Sequence, residues 1–317
     1  MQEFDVIIVG AGPAGMAAGI FASRRAMKTL IISPNIGGQM LYANYIENYP
    51  GFKKIKATEL VKKFEEHVKS CGVSITKETV VHIKEEREYF IIETDTTKYK
   101  TKAVILAFGK SPRRLGVPGE REYTGKGVSY CATCDAPLFK NVPVAVIGGG
   151  NSAFEAAHIL SKFASHVYLI HRSKEFRAFQ TLIEKVRKKV HFILDSEVEE
   201  IKGDKFVNSI VIKDKNGNKK ELKVRGVFVE IGSEVKTDLI EHLVKIDENG
   251  QVVVNERNET FYPNSNKIRP GIFAAGDLTN TPFKQIITSA AEGCRAALQA
   301  YNYIYKLKGP AMSDWSI

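Results

Sequence analysis

The residues with most chemistry to offer are Cys131, Cys134 and Asp135, in the run Ser129-Tyr130-Cys131-Ala132-Thr133-Cys134-Asp135. A Cys-x-x-Cys spacing lets two sulfurs meet across one turn at a helix start, where the dipole and free N–H groups lower a thiol pKa. Zinc can use the same spacing but needs a second ligand pair. His67 and Cys71 are four apart, nothing else marks them as ligands, and Cys294 stands alone. A dithiol–disulfide couple is therefore expected, with no metal. Asp135 can serve the helix dipole, and can also carry the proton that moves when a disulfide opens. Cys71 and Cys294 read as small buried hydrophobes. Four cysteines in 317 residues are too few for a secreted disulfide framework, so a redox pair here is catalytic rather than structural.

Two glycine-rich turns flank this pair. The apolar run Asp5–Val9 reads as a buried parallel strand and enters Gly10-Ala11-Gly12-Pro13-Ala14-Gly15, a helical stretch from Met16 to Arg25, and a strand from Thr29 to Ile32. In this Gly-x-Gly-x-x-Gly pattern Gly10 permits the tight turn, Gly12 lets backbone approach a pyrophosphate, and Gly15 lets helix and strand pack closely. The helix N-terminus adds free N–H groups for the phosphates. Alone the motif is weak, because such turns also close strands for purely structural reasons, but it recurs. Strand Val144–Ile147 runs into Gly148-Gly149-Gly150-Asn151-Ser152-Ala153, a helical stretch to Phe163 and a strand from His166 to Ile170. Two patterns in the right context imply two dinucleotides. Late in the chain Gly271–Asp277 reads as a strand ending in Gly276-Asp277, where an acid could hydrogen-bond a cofactor polyol; a plain strand-to-turn transition reads the same way.

The elements that position these groups follow. The first unit needs Gly276-Asp277 to complete its site, so the chain must leave it and return. We expect an α/β protein with two Rossmann-like three-layer dinucleotide-binding domains, the second inserted in the first: residues 1–113 with 241–317, and 114–240 carrying the dithiol. Lys110–Glu120 and Gly232–Asp238 are the expected hinges. The formal charge of +10 is spread among glutamates with no aromatic-interleaved basic stripe, which argues against nucleic acid. No apolar run approaches the roughly 20 residues of a transmembrane helix, and a strand begins almost at once, leaving no room for a signal peptide. A cytoplasmic protein that makes no membrane contact is expected.

The chain resembles the low-molecular-weight thioredoxin reductases over nearly its whole length. The resemblance is carried by Gly10–Gly15, Gly37-Gly38-Gln39-Met40, Glu47-Asn48-Tyr49-Pro50-Gly51, Leu115–Glu120, Cys131–Asp135, Gly148–Ala153, His171–Ala178, and Gly276-Asp277 with Gln285. It implies FAD on Gly10, Gly12 and Gly15, with Gln39 and Asn48 near the flavin and Asp277 on the ribityl chain. It implies NADPH on Gly148, Gly150 and Ala153, with Asn151 and Ser152 in the same turn. Cys134 would face the flavin, Cys131 would attack the partner's disulfide, and Asp135 would be the acid–base group. The implied substrate is thioredoxin or a glutaredoxin-like protein, and the implied assembly a homodimer.

Three positions depart from that pattern. Ser33 stands where an acid often holds the FAD ribose, although a hydroxyl can still hydrogen-bond there. Ser173 replaces an arginine, leaving Arg172 and Arg177 to meet a 2′-phosphate. Val235-Lys236 replaces Pro-Asn. Ser173 keeps open a related reductase fed by NADH or reduced ferredoxin, and a flavin-binding redox sensor is the non-enzymatic alternative.

Overall fold

The computed structural model describes residues 1–42 and 45–307; the side chains of Tyr42, Tyr45 and Cys134 also lie outside the described set. The chain divides into two compact units, 1–110 with 235–317, and 111–234.

In the first unit the strand Gln2–Ala11 lies between Thr29–Ile36 and Lys98–Leu106, parallel to both. Ser74–Thr76 and Ile268–Ala274 extend this parallel sheet at either side. A strand flanked on both faces must be apolar on both, and Val6, Ile7 and Ile8 are fully buried. One face carries the helices Pro13–Arg24, Ala57–Ser70 and Ile286–Ile304, whose apolar sides pack with Ile8, Ile31 and Ile105. The other face takes the antiparallel ladder Val80–Glu86 and Tyr89–Thr94, with Ile240, Leu243 and Val244 beside it. That makes three layers.

The second unit repeats the plan. Its parallel sheet runs Val128–Ser129, Gly226–Val229, Pro143–Ile147, His166–Ile170, His191–Ile193. The helices Asn151–Leu160 and Gln180–Val186 cover one face. An antiparallel sheet of Ser196–Gly203, Val207–Asp214 and Lys219–Lys223 covers the other through Val198, Ile201, Ile210 and Ile212.

The chain crosses between units a few residues before the boundaries at 113 and 241 drawn from sequence. Ser111–Pro112 pairs antiparallel with Ser233–Glu234, so the outgoing and returning segments hydrogen-bond within the second unit. Val235, one of the positions that depart from the family pattern, is the first residue back: it is buried in the first unit's core, while Lys236 is exposed. Among the described residues no helix is long and apolar enough to cross a membrane.

Helices Pro13–Arg24 and Ile286–Ile304 pack through small residues. A Cβ on Gly293 would stand 2.0 Å from the Ala14 carbonyl oxygen, a backbone atom that cannot swing away. Gly293→Ala should therefore cost about 1–3 kcal/mol by overpacking, read as a lower midpoint of urea unfolding. An unchanged midpoint would mean that the two helices separate freely.

Candidate functional site

The first glycine turn follows strand Gln2–Ala11. Gly10 has φ +112°, and a Cβ there would lie 2.4 Å from the Ala107 carbonyl oxygen; one on Gly15 would lie 1.8 Å from that of Gly10. Around Gly12 nothing lies within 4 Å of such a position, and Gly12 precedes helix Pro13–Arg24 with no side chain capping its N-terminus. The leading N–H groups of a three-turn helix thus face open space, which suits a phosphate.

Three remote segments converge on this turn. Gly38 comes within 3.3 Å of the Gly12 Cα, measured from its would-be Cβ, and Gly276 within 3.0 Å of the Ala14 Cβ. Gln39 Nε2 donates to Asp277 Oδ2 at 2.8 Å, Ser289 Oγ donates to Oδ1 at 3.3 Å, and Asn48 Nδ2 donates to Gln285 Oε1 at 3.0 Å. Ser33 is buried and its hydroxyl donates to the Asn35 carbonyl at 2.6 Å, leaving lone pairs to offer a ligand. Sequence reasoning missed two groups that shape the Asp277 loop. Glu292, 2% exposed, accepts from the Gly276 N–H at 2.8 Å and the Thr279 hydroxyl at 3.1 Å. Lys284 Nζ donates to the Thr279 carbonyl at 2.6 Å, and burial pulls its ammonium below the usual lysine range. The available signal for Glu292 was a lone charge in the small-residue run Ser289-Ala290-Ala291-Glu292-Gly293.

The second glycine turn repeats the first. Gly148 has φ +146° and its would-be Cβ meets the Glu230 carbonyl oxygen at 2.3 Å and the Ala153 Cβ at 3.0 Å. Gly150 has open space and precedes the uncapped helix Asn151–Leu160. The 171–179 segment is tied to this turn: Arg177 N–H donates to the Gly149 carbonyl at 2.8 Å, Phe179 N–H donates to Asn151 Oδ1 at 2.8 Å, and the His171 ring lies where a Gly149 Cβ would be. Ser152, Arg172 and Arg177 are exposed. The Ser173 hydroxyl turns inward, 3.0 Å from both His171 Nε2 and the Glu175 carbonyl oxygen.

Cys131 is disulfide-bonded, whereas Cys71 and Cys294 are not in a disulfide and are half-buried rather than buried. The Cys134 side chain lies outside the described residues. Cys131 N–H donates to Ser129 Oγ at 3.0 Å, and its carbonyl accepts from the Asp135 N–H at 3.1 Å. The helix start expected here is present: Ala132–Asp135 is helical and runs into the 3-10 turn Ala136–Phe139. A helix of four residues is too short to hold itself. Rigidity comes instead from Glu120, 1% exposed, which accepts from the Leu115 and Gly116 N–H groups at 2.8 and 2.7 Å and from the Tyr130 hydroxyl at 2.7 Å. Burial, reinforced by Glu120, pushes the Tyr130 phenol up to about 12. Leu138, three residues past Asp135, is 78% exposed.

Residues 4–296 match the family model described as pyridine nucleotide-disulphide oxidoreductase. A thioredoxin reductase of Peptoclostridium litorale is 38% identical over 315 residues, covering 96% of this chain and 98% of the relative. The crystal structure of Lactococcus lactis thioredoxin reductase superposes with a TM-score of 0.84 at 38% identity, covering 96% of this chain and 100% of that one. A ferredoxin-flavin thioredoxin reductase from Clostridium acetobutylicum superposes with a TM-score of 0.53 at 34% identity, covering 96% and 99%.

Glu120→Ala strands two N–H groups and a phenol, so it should cost about 3–5 kcal/mol, as when one partner of a buried polar cluster is removed. Thermal unfolding would check this, and a loss below about 1 kcal/mol, the worth of one ordinary hydrogen bond, would show that water replaces the carboxylate.

Proposed function

We propose that this chain, which belongs to the pyridine nucleotide-disulphide oxidoreductase family, is a thioredoxin-disulfide reductase that draws electrons from NADPH. The observation that carries this reading is the Cys131 disulfide inside the second unit, beside the second glycine turn and not in the first unit. Full-length relatives of that name support it.

The first site fits FAD: open space over Gly12 at an uncapped helix for the pyrophosphate, the close turns at Gly10 and Gly15, Ser33 at the ribose, and Asp277 with Gln39, Asn48, Gly276 and Gln285 toward the flavin end. The second fits NADPH on Gly148, Gly150, Asn151, Ser152 and Ala153, with the exposed Arg172 and Arg177 reading the 2′-phosphate. Bound there, the two groups supply the two-electron chemistry that opens the internal Cys131/Cys134 disulfide. The Cys131 thiolate then attacks one sulfur of the partner's disulfide, and the other sulfur leaves as a thiolate. Cys134 attacks Cys131 in that mixed disulfide, releasing the second partner thiol and restoring the internal bond. Asp135, next in the chain, donates and accepts the protons. Leu138 offers the partner, a thioredoxin or glutaredoxin-like protein, an apolar anchor beside the dithiol. A cytoplasmic homodimer completes the reading.

Ser173 favours a second reading of the donor. Its hydroxyl is turned away toward His171, so one expected phosphate contact is missing, and NADH or reduced ferredoxin could take the place of NADPH.

Anaerobic mixing with NADPH and with NADH decides this: flavin bleaching by NADPH alone supports Arg172 and Arg177 as phosphate readers. Bleaching by NADH overturns NADPH specificity, and bleaching by neither points to ferredoxin. Cys131→Ser should lower thioredoxin reduction at least about a thousandfold while flavin bleaching persists; surviving turnover would overturn the mechanism. Leu138→Glu should raise the KM for the protein disulfide about tenfold, the scale of one apolar anchor, with kcat for a small disulfide unchanged.

A further inference from the structure

The two units invite comparison at one place. In each, the glycine turn is pressed against the carbonyl at the end of a neighbouring parallel strand: Gly10 against Ala107, and Gly148 against Glu230. Glu230 is therefore the counterpart of Ala107. The first unit shows that this place needs only a small apolar side chain, so the fold alone does not call for the acid.

The side chain reaches the backbone of the dithiol segment. It accepts a hydrogen bond from the Ala132 backbone N–H, the residue that follows Cys131, while its own N–H donates to the Ile147 carbonyl at 2.8 Å. Glu155 on helix Asn151–Leu160 adds a like charge. Asp135 and Cys131 flank the segment it holds, and His171 packs over the adjacent Gly149. Burial, opposed by the Ala132 N–H and aided by Glu155, pushes the carboxyl up to about 8. The folded protein thus favours the protonated acid. Its contribution to stability is complete below the ordinary value of 4.5 and is lost as pH rises toward about 8. A residue kept at such a cost is a candidate for function.

The geometry points to Glu230 as a positioning residue for the dithiol: it anchors the backbone next to Cys131, and its charge state sets how readily Cys131 becomes a thiolate. Neutral Glu230 tolerates the anion; ionised Glu230 opposes it. This rests on the redox role proposed for Cys131.

The test uses flavin-loaded protein, reduced with dithiothreitol, freed of it, and alkylated with iodoacetamide from about pH 5 to about pH 10, across the carboxyl and thiol ranges. Fragment-ion mapping separates Cys131 from Cys134 on their shared peptide, and from Cys71 and Cys294. Wild-type alkylation of Cys131 should rise in two steps. Glu230→Gln, which keeps an acceptor for Ala132, should show one step, displaced to lower pH by about one unit, the scale of a nearby like charge. Its melting temperature should also gain on wild type as pH rises from 4.5 toward about 8. Superimposed profiles overturn the inference. So does a shift in Glu230→Ala that Glu230→Gln lacks, which would mean packing alone. A Cys131 that dithiothreitol cannot open to alkylation overturns the redox reading itself, a failure distinct from both.

Discussion

Everything in the first unit depends on one absence of volume. The Gly10 carbonyl oxygen lies 1.8 Å from where a Gly15 Cβ would be, and Gly10 itself leaves no room for a Cβ against Ala107. Only with both side chains missing can the strand stop, reverse and start a helix whose N-terminus opens at Gly12. Gly276 and Gly293 extend the same economy of space, bringing the Asp277 loop and the last helix onto Ala14. Asp277 is then held by Gln39 from one segment and Ser289 from another, so the site is assembled by backbone contact before any side chain is aimed. Glu292 fixes the loop from behind, a buried acid whose partners are a backbone N–H and a hydroxyl.

The second unit uses the same device with a different outcome. Its turn opens at Gly150, but the segment that follows the next strand, 171–179, folds back, bonds to the turn through Arg177 and Phe179, and packs the His171 ring on Gly149. Ser173 belongs to that internal stitching. The dithiol segment in the same unit is held by a second set of bonds centred on Glu120 and Tyr130, and Glu230 joins it to the glycine turn.

Much of this was legible in the residues. Gly10–Gly15 and Gly148–Ala153 announced two strand–turn–helix units, because the close approaches they require admit glycine and little else. The need of the first unit for Gly276-Asp277 implied the insertion. What stayed hidden depends on tertiary context. The helix start at the dithiol was legible, but local pattern cannot show that the chain turns into a 3-10 segment at Ala136. The boundaries drifted because the pairing of Ser111–Pro112 with Ser233–Glu234 is a long-range event. Glu120, Glu230 and Glu292 are three of the 36 acids in a net basic sequence, and it is their loss of solvent and their backbone donors in the fold that separate them from the rest.

That two-residue ladder has a consequence for the history of the chain. Where a host loop is interrupted, the entropy charged to the host depends on how far apart the guest holds the two cut ends. Here the guest presents its first and last strands hydrogen-bonded to each other, so the whole of 111–234 weighs on the host as little more than a tight loop. The arrangement makes the unit a cassette: its interior can grow, shrink or change ligand without altering the span between Lys110 and Val235 that the host must close.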